Sequence, residues 1–285
     1  MEPQVIYEDK NFLALDKPAG LLVHPIRLES NGAGPTANSK EKTLVDWLLK
    51  HYPEVAKVGD LPALPTGQAG GRQVIQTRPG IVHRLDRDTS GIILIARNQE
   101  YFEYLKNLFQ TRAIKKTYRA LVHGRVMPKK GIIEKEIKIK SGTTKRTVFR
   151  GRSEKTAVTE YKLLKQFTLP VRRSIALPSE ILREGRGKSG PNEQSAFFSW
   201  IEVTPLTGRT HQIRVHLASI GHAVVGDKLY GHKNPKEVQL PGIKRQMLHA
   251  YSLEFSPAPG KRVKLAASLP EDIKSTLQYL QESAD

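Results

Sequence analysis

The stretch His83-Arg84-Leu85-Asp86-Arg87-Asp88-Thr89-Ser90-Gly91, running straight into Ile92-Ile93-Leu94-Ile95-Ala96, decides how the rest of the chain is read. From Gly91 to Ala96 the residues are apolar and mostly β-branched, with no polar alternation, as in a strand covered on both faces at the centre of a sheet. The loop that feeds this strand carries two carboxylates and two arginines within five residues. Charges placed so near a core are costly unless they are paired or reach solvent. The segment is therefore either a solvated connection or a place where the charges are used. Just beyond the strand, Asn98 is positioned to cap a helix over Gln99–Thr111, in which Tyr101, Leu105, Leu108 and Phe109 fall on one face.

Working outward, Val5–Tyr7 and Phe12–Leu15 read as short strands, followed by the turn Asp16-Lys17-Pro18-Ala19-Gly20 and an extended Leu21–Val23. Thr43 caps a short helix bearing Leu44, Val45, Trp47, Leu48 and Leu49, which Pro53 ends. Further extended segments fall at Thr117–Val122, Ile132–Ile139, Ala157–Leu164, Phe197–Val203, Met247–Phe255 and Arg262–Ala267. A helix capped by Thr210 places Ile213, Leu217 and Ile220 on its apolar side, leaving His211 and Arg214 free to face a cleft, and Glu271–Leu280 forms the last helix. The pattern predicts an α+β class: a mixed, mostly antiparallel sheet with flanking helices and loops, in one domain over residues 1–285. Polar insertions without periodicity interrupt it near 26–42, 57–80 and 171–194.

Composition narrows the function. The 285 residues hold 46 Lys and Arg against 28 Asp and Glu, a formal net charge of +18. The stretch from Thr111 to Lys155 contains fifteen Lys/Arg and three Glu, so it supplies +12 of that excess. A concentrated basic region suits a polyanion, since neutralising phosphates releases condensed counterions, and nucleic acid is the leading partner. With no cysteine, thiolate catalysis, disulfides and cysteine zinc sites are excluded. The longest plain apolar run, Ile92–Ala96, is far short of a bilayer span, and no secretory leader follows Met1. The expectation is a cytoplasmic protein, acting as a monomer. Nine histidines and an Asp-rich loop raise a metal-dependent phosphoesterase as an alternative, but His211 and His216 are five apart and share a helix face poorly. The glycines of Gly185–Gly190 lack the spacing of a phosphate-binding loop.

The loop His83–Gly91 resembles the signature of the RluA-type family of RNA pseudouridine synthases. Further blocks agree in order: Lys17-Pro18-Ala19-Gly20-Leu21-Leu22-Val23-His24-Pro25, Lys116-Thr117-Tyr118-Arg119-Ala120-Leu121-Val122, and Gly208-Arg209-Thr210-His211-Gln212-Ile213-Arg214-Val215-His216. Gly226-Asp227-Lys228-Leu229-Tyr230-Gly231 and His249-Ala250-Tyr251 continue the match. The resemblance implies the pseudouridine synthase catalytic fold with a central RNA-binding cleft, and isomerisation of uridine in structured RNA without cofactor or metal. Ribosomal RNA is the first expectation for the substrate and transfer RNA the second. A catalytically dispensable RNA-binding or ribosome-assembly factor is the competing reading.

Residue by residue, the resemblance puts the essential carboxylate on Asp86. That group either attacks C1′ or removes a C2′ proton, and both routes need it ionised beside a cation, which the resemblance assigns to Arg214. Tyr118 matches the tyrosine that stacks on the flipped uracil, and Arg84 the residue that enters the RNA where the base has left. Arg209, beside the start of a helix, is read as a phosphate contact. His211, Lys116, Lys138, Lys140 and Lys145 complete the expected RNA-binding set, Lys17 and Pro18 shape the cleft wall, and no residue is assigned to a metal. The blocks begin close to Met1, so an N-terminal S4-type RNA-binding domain is not expected.

Overall fold

The computed structural model describes residues 2–24, 41–60, 78–140, 145–149, 152–171, 194–231, 238 and 240–283. The first strands, β1 (Gln4–Glu8) and β2 (Phe12–Lys17), form an antiparallel pair. Helix α1 (Leu44–His51) starts at the predicted cap: Thr43 Oγ1 accepts the Asp46 N–H while Asp46 accepts the Thr43 N–H at 2.7 Å. Strand β3 (Ser90–Ala96) is buried along its whole length, and α2 (Gln99–Gln110) follows, capped by Asn98. Next come β4 (Lys115–His123), β5 (Lys130–Glu134), β6 (Ile137–Ile139), β7 (Arg146–Thr147) and β8 (Arg152–Lys155). The long pair β9 (Val158–Val171) and β10 (Gln194–Pro205) leads to α3 (Gln212–Ser219), then β11 (Leu248–Ala258), β12 (Lys261–Ala266) and α4 (Glu271–Glu282).

Among the described residues these strands make a nine-stranded sheet in the order β1-β2-β3-β11-β4-β10-β9-β5, with β12 against β11, and a separate three-stranded sheet β7-β6-β8. Every pairing is antiparallel except β3 with β11. That parallel junction sets Ser90 opposite His249 and Gly91 opposite Ala250. Gly91 has φ +114°, and a Cβ there would collide with the Ala250 carbonyl, so only glycine lets the two backbones meet.

Burying Ile92, Ile93, Leu94 and Ile95 completely stabilises the centre by roughly 1.5–3 kcal/mol per side chain, enough to anchor a strand whose entry is charged. The core around β2 and β3 also takes in α1, α2 and the middle of β11. A second core joins β4 and β10 to α3, and a third packs α4 through Ile273 and Leu280 against β9 and β10.

The expected α+β class holds, with local corrections. Ile132–Ile139 is not one strand. Pairing with β9 stops at Glu134, and the chain turns into the small sheet, where Lys135 Nζ donates to the Ser219 carbonyl at the end of α3. Leu21–Val23 forms only a single bridge, Leu22 to Thr43. Strands β9 and β10 are longer than predicted and run to both edges of the 171–194 insertion, because Phe167, Leu169, Phe198 and Trp200 pack in the α4 core. The bulk of the insertions near 26–42, 57–80 and 171–194, and the Gly185–Gly190 segment, lie outside the described residues. No described helix is long and apolar enough to cross a membrane.

Candidate active site

The loop before β3 is fixed from several sides. His83 stacks on Phe109 with centroids 4.4 Å apart, and its Nε2 accepts the Leu94 N–H at 2.9 Å. Burial pushes the imidazole down to about 3, so it is a neutral acceptor at physiological pH. Leu85 is buried in the core, which turns the next side chain, Asp86, toward a cavity, and the Asp86 carbonyl accepts the Thr89 N–H at 3.1 Å to close a turn. Beneath the loop sits Lys17, wholly buried, with Nζ donating to the carbonyls of Pro18, Leu21 and Arg87 at 2.8, 2.9 and 2.9 Å. Lys17 was expected on the cleft wall; it is instead a strut between the β2 turn and the Asp86 loop. On the other side Arg245 donates to the Asp88 carbonyl at 3.1 Å and is held by the Asp272 carboxylate at 2.7 and 2.9 Å.

At the head of the loop, Arg214 Nη1 donates to Asp86 Oδ2 at 2.8 Å. The same guanidinium forms a two-point fork on Asp227, Nε to Oδ2 at 2.7 Å and Nη2 to Oδ1 at 2.8 Å. Burial opposes the Asp227 charge, but Arg214 and the N–H groups of Leu229 and Tyr230 outweigh it and hold this carboxyl below the usual range. Arg214 is likewise opposed by burial, yet Asp227 and then Asp86 raise it, so it is a permanent cation. Gly226, at φ +76°, allows the turn that delivers Asp227: a Cβ there would strike the Arg245 carbonyl.

The turn into α3 is built by a side chain rather than by the predicted cap. His211, not Thr210, is the cap residue, with φ +57° and no capping bond from its side chain. Gln212 does that work: its Oε1 accepts from Thr207 Oγ1 at 2.7 Å and from the Arg209 N–H at 3.0 Å, while Nε2 donates to the Val158 carbonyl and to Thr159. Arg209, expected as a phosphate contact, has its backbone N–H taken by Gln212, and its Nε donates to the Thr156 carbonyl at 3.3 Å. His211 is brought beside Asp86, Nε2 to Oδ2 at 3.8 Å, and its Nδ1 lies 2.8 Å from the Tyr230 hydroxyl.

These residues border a cavity of about 260 Å³, lined by Asp86, Arg214, His211, Arg84 and His24 among others. Arg84 is exposed, and among the described residues it forms no ion pair, so the alternative bridge to Asp88 is not made. Tyr118 on β4 is partly buried between two cores; burial first, and the Asp86 charge second, push its hydroxyl above the ordinary tyrosine range. Lys116 is half-buried, with Nζ 3.5 Å from the Thr207 carbonyl. Lys140 and Lys145 are exposed on the small sheet's flank, and Lys138 pairs with Glu136 at 3.6 Å. His216, weighed above as a metal partner of His211, is wholly buried and faces the Lys135 carbonyl instead.

Residues 11–219 match the RNA pseudouridylate synthase family. The chain belongs to that family. It is 34% identical over 282 residues, 98% of this chain and 73% of the relative, to an uncharacterised RNA pseudouridine synthase of Aquifex aeolicus. It is 32% identical over 294 residues, 100% of this chain and 74% of the relative, to the ribosomal large subunit pseudouridine synthase D of Pseudomonas aeruginosa. Its fold resembles that of human RNA pseudouridylate synthase domain containing 4, with a TM-score of 0.63 at 22% identity over 98% of this chain and 93% of that one. The protein is thus an RNA pseudouridine synthase, an isomerase acting on RNA.

Sequence reasoning did not single out Asp227, Tyr230, Gln212 or Arg245 as parts of this synthase's site. The signal for Asp227 was present: a carboxylate in an ordered block, between glycines, downstream of an arginine already assigned to a buried cleft. An arginine asked to hold one carboxylate in fixed geometry needs a second acceptor for the rest of its fork.

Proposed function

We propose that this synthase isomerises uridine at the Asp86–Arg214 pair and that its substrate is ribosomal RNA, with transfer RNA the second choice. The 2.8 Å pair at the cavity, clamped from behind by Asp227, carries the reading. It supplies a carboxylate paired with a guanidinium and fixed in its approach, the condition for attack at C1′ and for removal of the C2′ proton alike. Tyr118 is the group that stacks on the flipped uracil, and Arg84, exposed at the rim, fills the place the base has left. The exposed lysines Lys140 and Lys145, with Lys138, Lys116 and Arg209, contribute phosphate contacts that set affinity more than sequence preference. The name of the Pseudomonas relative supports the ribosomal choice. On this proposal the synthase acts as a monomer in the cytoplasm.

The test is pseudouridine mapping of total RNA from cells with and without the protein, alongside purified protein on protein-free ribosomal RNA. Loss of sites in large-subunit RNA, restored by wild type and not by Asp86→Asn, is expected. Asp86→Asn should bind RNA as wild type does, because phosphate contacts dominate affinity. Restoration by Asp86→Asn would show that the chain acts as a binding factor, and loss confined to messenger RNA would displace ribosomal RNA.

A further inference from the structure

We infer that His211 is a catalytic residue: a neutral imidazole whose Nε2–H donates to the uracil carbonyl oxygen on which charge collects as the glycosidic bond breaks. This rests on the reading that uridine is isomerised at Asp86. By either route the electron pair of the C1′–N1 bond leaves with the uracil and spreads from N1 onto O2 and O4. The C5–C1′ bond then forms, as the Asp86–C1′ ester breaks on the first route or as Asp86 returns the proton to C2′ on the second; C5 gives up its proton and N1 takes one, so the isomer has the same atoms as the substrate. The intermediate between these steps is an anionic base. Asp86 cannot stabilise it, and Arg214 has three of its five N–H groups and its charge engaged by two carboxylates.

The hydrogen-bond pattern favours one tautomer of His211. The Tyr230 oxygen accepts the Arg146 backbone N–H at 3.0 Å, and the hydroxyl proton then points to its other neighbour, His211 Nδ1, at 2.8 Å. Nδ1 is thereby the acceptor and Nε2 bears the hydrogen. A bare Nε2 lone pair facing the Asp86 carboxylate would be repelled; an N–H is not. At 3.8 Å from Asp86 Oδ2, that N–H is beyond hydrogen-bonding distance and remains available to a base in the cavity.

The backbone agrees. His211 holds φ +57°, a left-handed conformation that few residues besides glycine, Asn, Asp and His adopt, and the turn around it is locked by Gln212. Such conformations persist where the surroundings over-determine them, most often at functional sites. The charged groups acting on the ring are Asp86 and Asp227, which favour its protonation, and Arg214 and Arg146, which oppose it. Burial lowers the affinity of His211 for a second proton, with Asp86 opposing and Arg214 reinforcing. Neutrality matters because an imidazolium would pair with Asp86 and compete with Arg214, whereas a neutral N–H stabilises a developing anion without quenching the carboxylate.

Single-turnover rates at saturating RNA test this, with RNA affinity measured separately. His211→Ala should lower the rate about 100-fold, the usual cost of one such donor, with affinity unchanged. His211→Asn, which tolerates the backbone and keeps an N–H donor, should recover part of the loss. Tyr230→Phe keeps the ring but frees the tautomer, so it should slow the wild type and add nothing to His211→Ala. Weaker binding with an intact saturated rate would make His211 a phosphate contact and overturn the proposal. Losses that multiply in the double variant would overturn the tautomer lock. Should His211→Ala fail to fold, no recovery by His211→Asn relative to His211→Phe overturns it equally. Absence of pseudouridine with wild type would instead condemn the site reading itself.

Discussion

The Lys17 ammonium lies 2.9 Å from the carbonyl oxygen of Arg87, the residue directly after Asp86. The Gly20 N–H meets the same oxygen at 2.9 Å, so the β2 turn and the Asp86 loop share one acceptor. Lys17→Met keeps the length and removes the donor. The Arg87 carbonyl retains Gly20, but those of Pro18 and Leu21 lose the ammonium, at about 1–3 kcal/mol for each group left unsatisfied. Urea unfolding of Lys17→Met should show a loss on the order of 3 kcal/mol, with turnover falling more than RNA affinity because the loop that aims Asp86 loosens. Unchanged turnover in a folded Lys17→Met protein would show that the strut does not position the carboxylate.

Asp227 holds Arg214 by two of its three carboxylate bonds, so its removal should be worse for the fold than removal of Asp86. Asp227→Asn leaves a buried guanidinium short of countercharge. A loss of roughly 3–5 kcal/mol in unfolding free energy is expected, against about 1 kcal/mol for Asp86→Asn. Arg214→Lys should restore only a small part of the activity lost in Arg214→Ala, since an ammonium cannot span both carboxylates with a planar fork. Equal melting temperatures for Asp227→Asn and Asp86→Asn would contradict this ranking.

Acid should unfold the protein through His249 and His83. Burial lowers His249 to about 4 and His83 to about 3 from an ordinary 6.5. Between about 6.5 and those values the unfolded chain binds protons that the folded chain refuses, so stability is full above 6.5 and falls as the pH drops. Once both forms are charged, the loss is on the order of 3 kcal/mol for His249 and about 5 kcal/mol for His83. His249 sits between Ser90 Oγ, 3.0 Å from Nδ1, and the Ala267 carbonyl. In His249→Gln the decline between pH 6.5 and 4 should be visibly shallower, as read by denaturant midpoints across that range.

Reversing Lys138, Lys140 and Lys145 to glutamate should weaken binding of many RNAs alike and flatten the dependence of affinity on salt. For every phosphate that a lysine no longer neutralises, the slope of log affinity against log salt should fall by nearly one unit. Filter binding from 50 to 200 mM salt measures it. A change in which RNA is preferred, with the slope intact, would mean that these lysines read structure rather than charge.

Local sequence carried the elements whose structure is decided locally. Strand β3 is apolar on both faces because both are covered, and α1 and α2 begin where Thr43 and Asn98 satisfy their own first turns. Asp86 and Arg214 were legible together only through the family resemblance, since 128 residues separate them. What escaped was built by distant partners. The start of α3 depends on Gln212 reaching Val158 and Thr159, so the hydroxyl at 210 was a false cap. The break between β5 and β6 depends on Lys135 gripping the end of α3, which no periodicity reveals. Lys17 reads as a surface lysine by type, and only three converging carbonyls make its burial tolerable.

The parallel junction of β3 with β11 also orders events in time. Ser90 meets His249 across 159 residues, a loop closure that must be completed before the centre of the sheet exists. A chain emerging at about 5–20 residues per second displays Asp86 many seconds before Arg214, Asp227 and Arg245 have been made. Until then the carboxylate has neither its guanidinium nor the strand that seats its loop. Competence to modify RNA is therefore among the last properties the nascent polypeptide acquires.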